Sequence, residues 1–368
     1  MSTKKDKFSL IDKFYMDLAL DLANARKGLT GSNPSVGCVI VKNDKIVSIG
    51  QTSFNGRPHA EFNAINNSTE SLDGSKMYVT LEPCNHYGLT APCTTAIINS
   101  KISEVIYSVR DFDKRVRGKT KKILSLKKIK VKTGLLDYKI EQFYKSYFYN
   151  RKNKLPYITG KIAISKNNLI YSKNNKKITN ALSDKFTHYL RYKNDSIMIS
   201  YKTLNKDNPK LTCRLMNLKK FSPKRIILDN KLDLDIQSYL FRTSNNKNTI
   251  IFFNEADKSK VAEFKKSKIN LIKSNINKDK KFNIKMIMRK LYKLECRNIL
   301  IEGGNDLTTF LSKKKLFNEF YLFKSSKKLS KLVEYKEFKG LKILNQKYKN
   351  KLKLKSNFGK DTVILYKN

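Results

Sequence analysis

The sequence predicts two α/β domains in tandem, the first of them a three-layer α/β/α sandwich. Three observations carry that expectation. The chain has 368 residues, enough to bury two separate cores. Short β-branched runs alternate with stretches of helical periodicity along much of its length. Apolar residues make up 40% and are spread along the chain, so most of it can offset the entropy of ordering by burial.

In order from the N-terminus, Phe14, Leu18, Leu22 and Ala25 recur at helical spacing, with Asp12, Asp17 and Asp21 on other faces and Gly28 as a stop. The runs 36–41 and 46–50, joined by Lys42-Asn43-Asp44-Lys45, suit a hairpin. A helix then starts near His59, residues 76–81 form a strand, 94–100 a short helix and 105–109 a further strand. The stretch Tyr147 to Pro156 mixes aromatic, charged and proline residues and marks the boundary, giving domains over 1–147 and 156–368. Beyond it, apolar runs at 157–164, 196–200, 225–228, 249–253 and 298–301 are separated by helical or polar segments, as in a second α/β domain. No internal repeat of solenoid type is present.

Lys and Arg number 77 against 31 Asp and Glu, a formal net charge of +46. A surface so positive attracts phosphate backbones. The lysines are not gathered into a block or an aromatic-interleaved stripe, however, and Gly, at 14 residues, has about half its usual share of about 7%. That composition is the mark of an AT-rich coding sequence, so nucleic acid is not the expected partner. No apolar run approaches the roughly 18 residues of a membrane span. Lys4, Lys5, Asp6 and Lys7, ahead of Phe8, lack the apolar core of a signal peptide, so a cytoplasmic protein with no membrane partner is expected. Five cysteines at irregular spacing do not make a disulfide framework and are expected to be structural thiols or metal ligands.

His59-Ala60-Glu61, followed by Glu82-Pro83-Cys84 and Pro92-Cys93, supplies one imidazole, two thiols and a carboxylate two residues from the histidine. Three such ligands hold one zinc ion and leave its fourth tetrahedral position open, the condition for hydrolysis. The dication acidifies a water in that position, and Glu61 is placed to accept the proton and pass it to a departing amine. His-x-Glu followed by Pro-Cys is the pattern of zinc deaminases. Nucleoside and nucleobase deaminases of that group usually place two residues between the cysteines, whereas eight, Asn85 to Pro92, stand here.

The string Thr80 to Cys93 (TLEPCNHYGLTAPC), with Ser32 to Val41 (SNPSVGCVIV) and Pro58 to Glu61 (PHAE), resembles the bifunctional riboflavin-biosynthesis deaminase/reductase family. The resemblance implies a cytidine-deaminase-like sandwich in which His59, Cys84 and Cys93 bind zinc, Glu61 shuttles protons, Asn33 touches a phosphoribosylated diaminopyrimidine and His86 lines its pocket. Asp111 and Gly118 fit the family's loop after the last deaminase strands. Leu89 stands where the family usually has a basic residue.

In the second domain, Glu302-Gly303-Gly304 follows the apolar run 299–301 and precedes a helical pattern at Leu307, Phe310 and Leu311. Paired glycines at a strand-to-helix turn let the backbone approach a ligand, and the helix start favours phosphate. The blocks Gly160 to Ser165, His188 to Asp195, Lys202 to Arg214, Arg225 to Asp229 and Ile301 to Gly304 are similar, in order, to the family's reductase domain, which is dihydrofolate-reductase-like. That similarity implies reduction of a ribosyl to a ribityl chain by NADPH. It would place Lys161 and Asp207 at the reduction centre, Arg191 and Arg214 on the phosphoribosyl arm, and Thr203, Glu302, Gly303 and Gly304 on NADPH. It also implies a homodimer. The chain departs from the family pattern at Ser165-Lys166-Asn167-Asn168, where Ser-Leu-Asp-Gly is usual, and at Ser200, where Gly is common. Two other readings use the same residues: a deaminase whose second domain has lost turnover, and a nucleic-acid base deaminase, against which the eight-residue loop and the reductase-like blocks both stand.

Overall fold

The computed structural model describes residues 7–173 and 177–368, so Lys4, Lys5 and Asp6 lie outside the described residues. The chain divides into two compact units, Met1–Lys154 and Leu155–Asn368.

In the first unit, helix α1 (Leu10–Arg26) leads into the hairpin β1 (Gly37–Lys42) and β2 (Lys45–Gln51), then α2 (Ala60–Asn66), β3 (Lys76–Leu81), α3 (Cys93–Asn99), β4 (Glu104–Val109), α4 (Thr120–Leu126), β5 (Lys130–Thr133) and α5 (Asp137–Asn153). The sheet order is β2-β1-β3-β4-β5. The hairpin turns on Asn43 and Asp44, both in the left-handed region, which the tight two-residue loop requires. A capping box of Ser9 and Asp12 starts α1.

The expected apolar stripe of α1 is rotated in the fold. Tyr15, Met16, Ala19, Leu20 and Ala23 are buried, whereas Phe14 is 55% exposed. The cause lies on the strand beneath: a Cβ at Gly37 would sit 1.8 Å from the Ala19 carbonyl oxygen, so the helix settles with its small residues against that glycine. Gly50 does the same for α2 on the opposite face, where a Cβ would lie 2.2 Å from the Ala60 carbonyl oxygen and 2.4 Å from the Ala64 nitrogen. Cys38, the neighbour of Gly37, is paired with Gly50 across the hairpin, so the two glycines point to opposite faces and the three layers follow. Helix α5 runs through much of the stretch expected to be a linker, because Tyr147 and Phe148 pack against the first unit's core and Asn150 is buried.

The second unit comprises β6 (Tyr157–Ile164), β7 (Leu169–Ser172), α6 (Ala181–Lys193), β8 (Ser196–Ser200), α7 (Tyr201–Asp207), β9 (Lys224–Leu228), α8 (Tyr239–Arg242), β10 (Thr249–Phe253), α9 (Lys258–Lys266) and β11 (Asn270–Lys273). There follow α10 (Ile284–Lys293), β12 (Asn298–Ile301), α11 (Asn305–Lys313), β13 (Glu319–Lys324), β14 (Tyr335–Glu337), α12 (Leu341–Lys347), β15 (Asn350–Lys353) and β16 (Thr362–Lys367). Nine strands form one sheet in the order β11-β10-β9-β8-β12-β6-β13-β16-β15, and β7 pairs with β14. Successive residues face two separate cores, Ile226, Ile299 and Ile301 on one side and Ile227 and Leu300 on the other. Strands buried on both faces read as continuous apolar runs, which is why they were legible. Strand β12 enters between β8 and β6, so the chain changes direction there and the carboxyl ends of these parallel strands form a crevice. Both units are therefore α/β, as the sequence implies.

Candidate active site

His59 N-caps α2 with an extended backbone, and its ring makes no capping bond, so it is free to face the cleft. Cys93 opens α3, and Cys84 lies in the loop leaving β3. The loop returns on itself through Thr94 N to Cys84 O at 3.1 Å and Cys93 N to Cys84 Sγ at 3.3 Å. His59 Nδ1 lies 3.6 Å from Cys84 Sγ and 3.4 Å from Cys93 Sγ. Tetrahedral zinc with nitrogen and sulfur ligands separates neighbouring donors by about 3.5 Å, so the residues present fit that ion. These three side chains form a group able to hold one metal ion.

Glu61, on the first turn of α2, is 4% exposed, and burial pushes its carboxyl up to about 6. A hydrogen bond from Cys93 draws the Cys84 thiol down to about 4, helped by His59, while the same contact raises Cys93. The pair thus holds one thiolate readily before any cation arrives, and a cation adds the second.

Asn33 and His86 both line the cleft with the metal group. The Asn33 amide donates to the Gly56 carbonyl at 3.2 Å. His86 Nδ1 is buried with no hydrogen-bond partner among the described residues. Several further lining residues have no role assigned from the sequence. Glu82, 3% exposed, accepts from the backbone N–H groups of Asp111, Gly118 and Thr120 and so pins the 111–120 loop. Asp111 accepts from the Tyr147 hydroxyl at 3.0 Å. Tyr147 and Arg151, one helical turn apart on α5, and Arg57 and Arg115 complete the wall. The spacing of Tyr144, Tyr147 and Arg151 along α5 is the signal that could have found that face.

In the second unit the register pairs Ile301 with Gly160, so Glu302, the first residue past β12, comes level with Lys161 within β6. Burial pulls the Lys161 ammonium below its ordinary value, with Glu302 opposing, and its Nζ sits 5.0 Å from the Phe323 ring centre. Arg191 on α6 gives Nε to Glu302 Oε1 and Nη2 to Oε2, each at 2.7 Å, and Nη1 to the Thr212 carbonyl at 3.1 Å. His188 stands in the same cluster, pushed down to about 4 by burial and by Arg191 and Arg214. Arg214 is exposed. Asp207 is exposed at the end of α7. Thr203 does meet the glycine turn: a Cβ at Gly304 would lie 2.9 Å from its hydroxyl. The crevice therefore carries a side-chain-free turn at the start of α11 and a hydroxyl facing it, a fit for a phosphate-bearing cofactor. The two departures from the family pattern are accommodated. Asn168 takes the left-handed conformation, φ 64°, that a glycine would take, with Asn167 bonding the Leu329 carbonyl, and Ser200 is in ordinary extended backbone.

The first unit is thus a zinc-binding deaminase unit, joined to a second of reductase type. A family model described as "Cytidine and deoxycytidylate deaminase zinc-binding region" matches residues 10–109, and one described as "RibD C-terminal domain" matches residues 156–364. The chain is 34% identical over 360 residues to the riboflavin biosynthesis protein RibD of Aquifex aeolicus (strain VF5), covering 97% of this chain and 98% of that one. It is 45% identical over 145 residues, 39% of this chain and 99% of the relative, to a diaminohydroxyphosphoribosylamino-pyrimidine deaminase of Buchnera aphidicola. A solved deaminase/reductase from Thermotoga maritima superposes with a TM-score of 0.81 at 25% identity, covering 97% and 98% of the two chains. The chain belongs to the RibD family of riboflavin-biosynthesis enzymes, with deaminase and reductase activities.

Proposed function

We propose that the first unit hydrolyses the 2-amino group of 2,5-diamino-6-(5-phosphoribosylamino)pyrimidin-4-one and that the second reduces the ribosyl chain of the product to ribityl with NADPH. The observation that carries this reading is the convergence of His59, Cys84 and Cys93 beside the buried Glu61. Those three ligands would hold a zinc ion, which would supply an acidified water at neutral pH. Glu61 takes a proton from the attacking water and returns it to the nitrogen, so that a carbon–oxygen bond forms, the carbon–nitrogen bond breaks and ammonia leaves. Asn33 and His86 orient the pyrimidine, the unpartnered Nδ1 of His86 having hydrogen-bonding capacity to give.

In the second unit Thr203, Gly303 and Gly304 would hold NADPH, which would supply the hydride that the first carbon of the opened ribose accepts. Lys161 delivers the proton that the ring oxygen takes on opening, with Glu302 acting on its ammonium. Arg214 receives the arm, while Arg191, already clasped by Glu302, fixes that carboxylate in place. Thr203, Gly303 and Gly304 face the cofactor. The enzyme works on a small molecule, in the cytoplasm and as a homodimer by family resemblance; among the described residues no helix is long and apolar enough to cross a membrane.

The test is to give zinc-loaded protein the phosphoribosylated diaminopyrimidine and follow ammonia release and NADPH oxidation in one vessel. Ammonia followed by NADPH consumption supports both assignments. Ammonia alone restricts the function to the first unit, and neither product contradicts the reading.

A further inference from the structure

Three guanidinium groups, Arg57, Arg115 and Arg151, line the cleft of the first unit. Arg115 bridges Asp113 at 2.6 Å, and Arg151 lies against Tyr147, its guanidinium 5.2 Å from that ring centre. Arg57 has no carboxylate partner among the described residues. Its Nη1 donates to the Thr90 hydroxyl, and a Cβ at Gly88 would stand 3.5 Å from its Nη2, so the 84–93 loop lies against the guanidinium. The apolar Leu89, the next residue on that loop, is 89% exposed and brings no charge of its own.

We propose that Arg57 is the binding residue that receives the phosphate of the substrate's ribosyl arm, with Thr90 holding its guanidinium in place. The proposal rests on the deaminase reading above. A guanidinium on the cleft wall with no carboxylate bridge offers two parallel N–H donors to phosphate, whereas Arg115 is already bridged to Asp113. Thr90 uses one face of the fork, which fixes its direction and leaves further N–H groups for an anion.

The experiment compares wild type, Arg57→Gln, Arg57→Lys and Thr90→Val in zinc-loaded full-length protein, using the phosphorylated substrate and its dephosphorylated riboside. For Arg57→Gln the expected result is a KM for the phosphorylated substrate raised about 10-fold or more, the loss of one charge-assisted contact. Zinc content should be unchanged and kcat much less affected than KM. Arg57→Lys should recover part of the loss and Thr90→Val should show a smaller rise. Inhibition of ammonia release by ribose 5-phosphate should weaken in parallel, and the riboside should not distinguish Arg57→Gln from wild type. Equal losses on both substrates would make Arg57 a loop support only, and an unchanged KM on both would remove it from the site. Wild type that releases no ammonia from either substrate would sink the deaminase reading itself, a result separable from the other two.

Discussion

Glu302 and Arg191 are joined at two points, Nε to Oε1 and Nη2 to Oε2, both at 2.7 Å, with the two side chains 12% and 10% exposed. The pair ties the exit of β12 to the last turn of α6. Burial works to raise the Glu302 carboxyl, but the Arg191 charge and its hydrogen bonds overcome it and hold the group below the usual carboxylate range. Removing one partner of such a pair strands the other's charge. Glu302→Gln should therefore lower unfolding stability by about 3 kcal/mol, whereas replacing both residues by apolar ones of similar volume should cost less. Urea denaturation of the single and double variants checks this, and additive losses would contradict it.

His188 should remain a neutral imidazole well below its ordinary titration point, because burial, Arg191 and Arg214 drive it down to about 4. The unfolded chain takes up that proton near the ordinary value of about 6.5. The contribution of His188 to stability is therefore complete above that value and is lost as pH falls toward 4. With three histidines in the chain, proton NMR can follow each ring. Titration of His188 near its ordinary value, or no upward shift on Arg214→Gln, would contradict this account.

Gly50→Ala should damage the metal site from a distance. Its Cβ would collide with the backbone of Ala60 and Ala64 in the helix whose first turn carries Glu61 and whose cap is His59. Backbone cannot give way as a side chain can, so helix and histidine must shift together. A loss of about 1–3 kcal/mol in stability is expected, with weaker zinc retention by elemental analysis against a chelator. Unchanged stability and zinc retention would mean that the close approach at Gly50 does not position the helix.

The metal group was legible because its ligands sit in short contiguous motifs, and so was the alternation of strands, because strands buried on both faces are continuous apolar runs. What was not legible depends on contacts distant in sequence. The buried face of α1 is set by Gly37 on a strand, not by the strongest apolar stripe of the helix itself. Tyr147 and Arg151 belong to a helix in which aromatic and charged residues are mixed on every turn, so its buried face has no clean apolar stripe. Glu82 pins a loop some 30 residues away through backbone N–H groups that leave no mark in sequence. The nearness of Glu302 to Lys161 follows from the register of β12 on β6, which no local motif records.

The most direct test of the account is Glu61→Gln in the full-length protein, reading zinc content and ammonia release on the same preparation. Three ligands without Glu61 should still bind about one zinc per chain, while the proton transfer that Glu61 performs disappears, so retained zinc with ammonia release reduced by about 100-fold or more is expected. Loss of the metal along with activity would make Glu61 a ligand or a structural support, and retained activity would remove it from the reaction.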